Sequence, residues 1–214
     1  LSEIYASGVR NPQRFAWDSD NGNMFLADIG QNIVEEISLV TSGANLGWNT
    51  WEGSFRFISR SAVSLSNPRG DEALTYPVAE YGQEDPLLQR SSAATGLHVY
   101  RSDAIPELAD LVLFGDNPSG EVFYVRADGL PSGGQQAIRR ILLNDRGDSK
   151  TLLQLIQEKN REQGRSPAGR ADLRFGSGPD GQVFLLNKRD GIIRLFVSST
   201  GSGNADSGHP DIFE

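Results

Sequence analysis

Short apolar runs separated by polar turns recur along the chain and predict β-strands. At three places a turn rich in Asp, Asn and Gly precedes one polar residue, one aliphatic residue and a phenylalanine, namely Phe25, Phe123 and Phe184. Asp and Asn cap such turns through their side chains, and glycine supplies the positive φ of a tight hairpin. A strand-like run lies before each turn and a third follows. We therefore expect three copies of a strand–turn–strand–loop–strand unit.

The spacing of the three copies favours a propeller over a solenoid. Long insertions separate the copies, and a propeller carries such insertions on its loops. The alternative is chance recurrence in a glycine-rich β protein, since the chain contains 24 glycines. Residues 50–95, between the first two copies, read as an irregular polar loop. Loops of that length are often functional.

One stretch departs from the β pattern and predicts a short amphipathic helix at residues 149–164. Apolar residues gather on one side of it, Asp148 or Ser149 is the expected N-cap, and Gly164 is the expected stop. We expect the apolar side to pack against the core, and the alternative is a partner-binding face. The expected domain spans residues 1–197, and the small polar residues of 198–214 predict a flexible tail or linker.

Composition excludes several classes of site and partner. A net charge of −8 disfavours nucleic acid and anionic membranes as partners. The absence of cysteine rules out disulfides and Cys-ligated zinc, and two histidines are too few for a histidine-rich metal site. No apolar run is long enough for a membrane span or a signal peptide. A first residue that is leucine suggests a processed piece or a missing start.

Five sequence blocks together resemble the soluble quinoprotein sugar dehydrogenases. They read, in order, GVRNPQRFAWD, ADIGQNIVEEI, GANLGWNTWEG, GLHVYRSDAIPELADLVLFGDNPSGEVF and GRADLRFGSGPDGQVFLLNKRDGIIRL. This is the glucose/sorbosone dehydrogenase family, which also includes Hedgehog-interacting-protein-like propellers. The resemblance implies an all-β, six-bladed β-propeller, of which about three blades, the C-terminal half, are present. It implies a periplasmic or secreted protein whose remaining blades come from a missing segment, another fragment or a second copy.

The resemblance also implies a site for pyrroloquinoline quinone (PQQ) and its Ca²⁺. Arg10 and Asn11 match residues that contact the carboxylates and quinone oxygens of PQQ, and the backbone carbonyls of Gly30 and Gln31 match ligands of the associated Ca²⁺. An arginine fork suits a carboxylate, and carbonyl oxygens suit a hard cation. The alternatives are a solvent-facing arginine, a turn asparagine and an ordinary loop.

Two further groups of residues follow from the same resemblance. Glu36, the backbone of Leu46 and Glu52 are expected at a second, structural calcium site, the alternative being solvated strand and turn acids. Arg170 and Arg174 are expected near the cofactor. If residues 170–175 form a strand, these arginines share one face with Asp172, which also allows a plain salt-bridge ladder.

Two departures from the family pattern concern catalysis. The catalytic base of the family is a histidine upstream of this chain, so no catalytic residue is assigned here. His98 lies in a strand-like run and is expected to be a packing residue, and His209 lies in the tail. By alignment on the residues GEVF, the dehydrogenase lysine that contacts PQQ falls near Pro118, which has no charge to offer. The resemblance therefore implies that this piece alone is inactive.

The leading functional hypothesis is oxidation of an aldose or related sugar at its anomeric carbon, with PQQ and Ca²⁺ as cofactors. A small-molecule sugar is then the expected partner. The alternative is a non-catalytic, calcium-stabilised propeller that binds carbohydrate or protein on its loop face through residues 50–95. Propellers host both kinds of function, so the fold does not decide between them.

Overall fold

The computed structural model describes residues 3–88 and 92–198 as sixteen short strands and one α-helix. Of the predicted tail, only Ser198 lies within the described residues. None of the described helices is long and apolar enough to cross a membrane. In chain order the elements are β1 (Pro12–Trp17), β2 (Met24–Asp28), β3 (Val34–Val40), β4 (Trp51–Glu52), β5 (Phe55–Ser59), β6 (Ala62–Ser64), β7 (Ala79–Gly82), β8 (Ala94–Tyr100), β9 (Leu111–Asp116), β10 (Val122–Arg126), β11 (Arg139–Ile141), β12 (Leu143–Asp145), β13 (Asp148–Lys150), α1 (Leu152–Glu162), β14 (Arg174–Ser177), β15 (Val183–Asn187) and β16 (Ile192–Leu195), with short 3₁₀ turns at Pro86–Leu88 and Pro106–Leu108.

Three antiparallel sheets form the blades of a partial propeller. Blade 1 has the order β1-β2-β3-β7, blade 2 has β8-β9-β10-β11, and blade 3 has β14-β15-β16. Strand β8 contacts both β1 and β14, so the first strands of the three blades lie next to one another. That is the arrangement of inner strands around a propeller axis. The predicted all-β fold with about three blades is confirmed.

The three sequence copies are present, but the second is out of phase with the blades. In blades 1 and 3 the glycine turn joins the first and second strands, ending at Gly22 and Gly181, both with positive φ. In blade 2 the turn ending at Gly120 joins the second and third strands, because β8 has already supplied the first. Each copy still has the predicted order of strand, turn, strand, loop and strand, and blade 2 adds β8 in front of its copy.

The expectation of an irregular loop at residues 50–95 was wrong. Strands β4, β5 and β6 form a small antiparallel sheet of their own, and β7 returns to complete blade 1 beside β3. These strands are two to five residues long. They are too short to show a clear alternation, which is why no strand was predicted there.

The single helix forms where it was predicted, but it starts later. Thr151 caps it, with Oγ1 accepting from Gln154 N at 3.2 Å while Thr151 N donates to Gln154 Oε1 at 2.8 Å. Asp148 and Ser149 are not caps because they belong to the β12–β13 hairpin. Gly164, with φ of +68°, follows the helix as expected.

The apolar side of α1 packs, as expected. Leu152 and Ile156 are fully buried against Val122 of blade 2 and Leu185 of blade 3. The helix therefore closes the gap between these two blades. A second apolar cluster joins blades 1 and 2 through Ile37, Tyr81, Phe114 and Phe123.

An ionic junction ties blade 1 to blade 2. Arg101, at the end of β8, donates to Asp18 Oδ2 at 2.7 Å in the β1–β2 turn, and to Asp110 and Asp128 of blade 2 at 2.6 and 3.1 Å. The Arg101 hydrogen bond holds the pKa of Asp18 below its usual value, and these carboxylates raise the pKa of Arg101. Arg101 thus forms hydrogen bonds with acids of both blades.

Each of the two outer blades leaves apolar side chains exposed. On β1 of blade 1, Phe15 is 61% and Trp17 53% exposed; on β16 of blade 3, Ile193 is 66% and Leu195 49% exposed. Within β8–β11 of blade 2 no large hydrophobic side chain is exposed. The exposed apolar side chains of the blade strands therefore lie on blades 1 and 3, and not on blade 2.

Candidate functional site

Arg10 lies just before β1 and is held by the loop between β2 and β3. Its Nε donates to Gln31 Oε1 at 3.0 Å, and its Nη1 donates to the carbonyl of Ile29 at 3.0 Å. The guanidinium also lies over the Trp48 ring, 5.9 Å from the centroid. Arginine has five N–H donors, so several remain for a ligand after these contacts. The fork is oriented before any ligand arrives.

Asp28, at the end of β2, fixes the backbone on which Arg10 and Asn11 lie. Its Oδ2 accepts from Arg10 N at 2.8 Å and its Oδ1 from Asn11 N at 2.6 Å. Burial raises the pKa of Asp28, and the two amides partly oppose that rise. The Asn11 side chain is exposed, and Pro12 restricts Asn11 to extended geometry. Sequence reasoning missed Asp28, although it is an acid at the end of an apolar strand.

A single carboxylate oxygen organises the loop after β2. Glu52 Oε1 accepts from the backbone amides of four consecutive residues, at 2.9, 3.2, 2.9 and 3.0 Å. Those residues are Gln31, Asn32, Ile33 and Val34. Glu52 is completely buried, and its other oxygen, Oε2, has no hydrogen-bond partner among the described residues. The loop is therefore wrapped around Glu52.

This wrapping sets the direction of the carbonyls predicted to bind Ca²⁺. In a trans peptide the N–H and the preceding C=O point in opposite directions. Because the amides of Gln31 and Asn32 point at Glu52, the carbonyls of Gly30 and Gln31 point away from it. A Cβ on Gly30 would lie 1.7 Å from the Val34 carbonyl oxygen and 2.7 Å from Glu52 Oε1, so only glycine fits there.

Asp28 is the first of three acids that lie side by side across blade 1. Asp28 pairs with Glu36 across β2 and β3, and Glu36 pairs with Glu80 across β3 and β7. Glu36 accepts from Gly53 N at 2.7 Å. Burial raises the pKa of Glu36 well above its usual value, and the neighbouring acids Asp28, Glu80 and Glu52 raise it further. In the part of the chain that the structure describes, no three Asp, Glu or His side chains are arranged to hold a metal by themselves.

Glu36 and Leu46, two predicted ligands of the structural calcium, contact different parts of blade 1 and its loops. Leu46 is buried in a small cluster with Leu26 and Val40, while the Glu36 carboxylate contacts Gly53. The described contacts do not join these two predicted ligands. Glu52 lies near Glu36, but its Oε1 is occupied by the loop amides, which leaves Oε2 as the atom with free lone pairs.

The late arginines lie on the opposite side of β8. Strand β14 begins only at Arg174, so residues 170–175 do not form the strand that would have placed Arg170, Asp172 and Arg174 on one face. Arg174 Nη1 donates to Thr95 Oγ1 on β8 at 3.2 Å, so Arg174 is the arginine directed toward blade 2. Arg170 instead lies 3.8 Å from Asp172 and is half exposed.

Positive charge accumulates around Asp172. Its carboxylate is 2.6 Å from Arg189, 3.6 Å from Lys188 and 3.8 Å from Arg170. Burial lowers the pKa of Arg174, and the nearby positive charge of Arg14 and Arg170 lowers it further against the pull of Asp172. Sequence reasoning missed Arg14, which β1 places within electrostatic reach of Arg174.

His98 and Pro118, the last two residues singled out in the sequence, take part in packing and backbone contacts. His98 lies on β8, and burial lowers its pKa, as expected for a packing residue. The carbonyl of Pro118 accepts from Ala171 N at 3.0 Å, next to Arg170. Pro118 therefore joins the turn of blade 2 to the segment that leads into blade 3.

Known proteins resemble this chain in sequence. A sequence profile of the Glucose / Sorbosone dehydrogenase family matches residues 1–194. The HIPL2 protein of Arabidopsis thaliana is 36% identical over 116 residues, which are 53% of this chain and 16% of that protein. The aldose sugar dehydrogenase YliI of Escherichia coli strain K12 is 26% identical over 132 residues, 60% of this chain and 32% of that protein.

A solved structure shows the same fold. The PQQ-bound aldose sugar dehydrogenase of Streptomyces coelicolor superimposes with a TM-score of 0.53 at 16% identity, covering 90% of this chain and 44% of that one. The chain thus spans under a third of the length of these two curated relatives and under half of this structure. The profile match covers nearly all of the described residues, and the chain belongs to the glucose/sorbosone dehydrogenase family.

Proposed function

We propose that this chain supplies the half of a quinoprotein sugar dehydrogenase that holds PQQ and its Ca²⁺. The observation that carries the proposal is the loop at Gly30 and Gln31. The backbone amides of this loop donate to Glu52, so the loop carbonyls point away from Glu52. The side chain of Gln31 in the same loop orients Arg10. One short segment thus presents oxygen ligands for a hard cation beside a fixed guanidinium for a carboxylate.

The residues present fit these groups in kind. Arg10 and Asn11 would bind the carboxylate and quinone oxygens of PQQ, with Arg170 and Arg174 on the far side of β8. When bound, PQQ would supply the two-electron acceptor for oxidation of an aldose or related sugar at its anomeric carbon, and Ca²⁺ would supply a Lewis acid to polarise the quinone. The chain itself binds and orients. A base for the sugar hydroxyl would come from the remaining blades.

A second calcium ion at Glu36, the Leu46 carbonyl and Glu52 is also part of the proposal. The unpartnered Oε2 of Glu52 supports it, because a buried carboxylate oxygen without a hydrogen-bond donor would be stabilised by a bound cation. Removing Ca²⁺ with EGTA should lower the urea midpoint of the full chain. An unchanged midpoint would argue against structural calcium.

The direct test is to measure the binding of PQQ to the full chain by isothermal titration calorimetry, with and without Ca²⁺. Arg10→Gln should weaken binding by about 10- to 100-fold, the range for losing a charge-assisted hydrogen bond. Arg60→Gln, at an exposed arginine, is the matched control. The proposal fails if PQQ does not bind, or if both variants bind it like the unsubstituted chain. Dye reduction with a sugar panel, by the full-length protein, tests turnover.

Pro118 supports a second candidate function, a non-catalytic propeller. A proline cannot provide the positive charge that a lysine gives to a bound quinone. The small β4–β6 sheet would then be the surface that binds carbohydrate or protein. In that case calcium stabilises the full-length protein but PQQ does not. Localisation in the periplasm or outside the cell is common to both candidates, and fractionation of cells expressing the full-length protein tests it.

A further inference from the structure

Cations outnumber acids around Arg174, which lies on the inner strand of blade 3. Its charge interacts with those of Arg14 on β1 and Arg170 just before β14, and the one acid that acts on it is Asp172. This surplus occurs in a chain with a net charge of −8. Positive charge gathered locally against the sign of the whole protein indicates an anionic ligand.

The position of Arg14 is set by the blade geometry. Strands β1 and β14 both contact β8, so Arg14 and Arg174 approach from either side of the same inner strand. Arg174 is partly buried and fixed by Thr95 Oγ1, so it cannot move away from Arg14 freely. Arg14 is exposed, and its one described hydrogen bond joins Nη1 to the neighbouring carbonyl of Gln13. Donors of its guanidinium are available.

We infer that Arg14 is a further ligand-binding residue, which with Arg174 and Arg170 receives a carboxylate group at the inner end of the blades. This inference deepens the proposed function and rests on it. Three guanidinium groups suit a ligand with more than one carboxylate, since each can bind an oxygen pair in a fork. The carboxylates have two sources: the PQQ cofactor or an acidic sugar such as a uronate.

The test compares Arg14→Gln with Arg126→Gln in the full chain. Both substitutions remove one positive charge from an exposed strand residue, and Arg126 lies at the end of β10, away from the inner strands. Calorimetric titrations use three probes: PQQ, D-glucuronate and neutral D-glucose. Thermal unfolding of each variant without probe shows that both are folded.

We expect Arg14→Gln to weaken binding of a carboxylate probe by about tenfold or more, as for a lost charge-assisted contact, while Arg126→Gln leaves it unchanged. A loss confined to PQQ identifies the cofactor as the source, and a loss confined to glucuronate identifies an acidic substrate. Equal affinities of Arg14→Gln and Arg126→Gln for both carboxylate probes would overturn the inference. The proposed function fails separately, through Arg10→Gln or through the absence of PQQ binding.

Discussion

A buried glutamate between blades 1 and 2 should make stability depend on pH. Glu35 on β3 is completely buried; its Oε1 accepts from Gln83 Nε2 at 2.5 Å and its Oε2 from Ala94 N at 2.6 Å, at the start of blade 2. Burial, reinforced by the negative charge of Asp116, raises the pKa of Glu35 from 4.5 to about 8. At neutral pH the folded chain therefore holds a proton on Glu35 that the unfolded chain has released.

The sign and size of the effect follow from that difference. The contribution of Glu35 to stability is fully present below pH 4.5 and is lost as pH rises through about 8. Across this window the free energy of unfolding falls by about 1.4 kcal/mol per pH unit, or about 5 kcal/mol in total. Losses of that size would remove much of the stability of an ordinary domain, about 5–15 kcal/mol.

Glu35→Gln replaces the titrating group with a neutral one of the same shape. The Gln83 amide can turn over and accept from the new amide, so the buried hydrogen bond is kept. Urea unfolding at several pH values should show the variant gaining about 1.4 kcal/mol per pH unit over the unsubstituted chain between about pH 5 and about pH 8, with the gain levelling off above that. Glu84→Gln, at an exposed neighbour, is the control. The reasoning is refuted if Glu35→Gln and Glu84→Gln follow the same pH profile.

Further substitutions test the packing at the site and between the blades. Gly30→Ala should lower the free energy of unfolding by about 3 kcal/mol or more, because its Cβ overlaps the Val34 carbonyl, whereas Gly169→Ala, with open space around it, should change it by under about 1 kcal/mol; equal losses in urea titrations would contradict this. Arg101→Gln leaves buried Asp18 uncompensated and should cost about 3–5 kcal/mol, with Arg126→Gln as control. A loss below about 1 kcal/mol would show that the junction is only a surface ion pair.

The blade strands were predictable because each carries enough apolar residues to mark a buried run. MFLAD, LVLFGD and VFLLN became the second strands of their blades. The phase of the second copy was not predictable, since the turn chemistry around Gly120 is the same wherever the turn falls in a sheet. Strands β4–β6 were missed because each is too short to show a clear alternation, and β7 was missed because its partner β3 lies about forty residues earlier.

Only part of the candidate site could be predicted from the sequence. Arg10, Asn11, Gly30 and Gln31 could be named from their motif, but not how they are oriented. That orientation comes from Glu52, whose hydrogen bonds run to residues about twenty positions earlier. Arg14 carries no signal in the sequence, because an arginine on a strand is usually solvated. Only the approach of blade 3 to β8 shows its charged surroundings.

The pairing of β3 with β7 has a consequence for the order of folding. Strands β14, β15 and β16 follow one another closely, so blade 3 can form from local hairpins, whereas β7 must return to β3 across the whole β4–β6 sheet. Closing such long loops slows the formation of contacts. We expect blade 1 to be completed last, so that Glu36 meets Glu80 only in the final step. Pulse-labelled hydrogen exchange would show β7 amides gaining protection after those of β15, and the reverse order would contradict this.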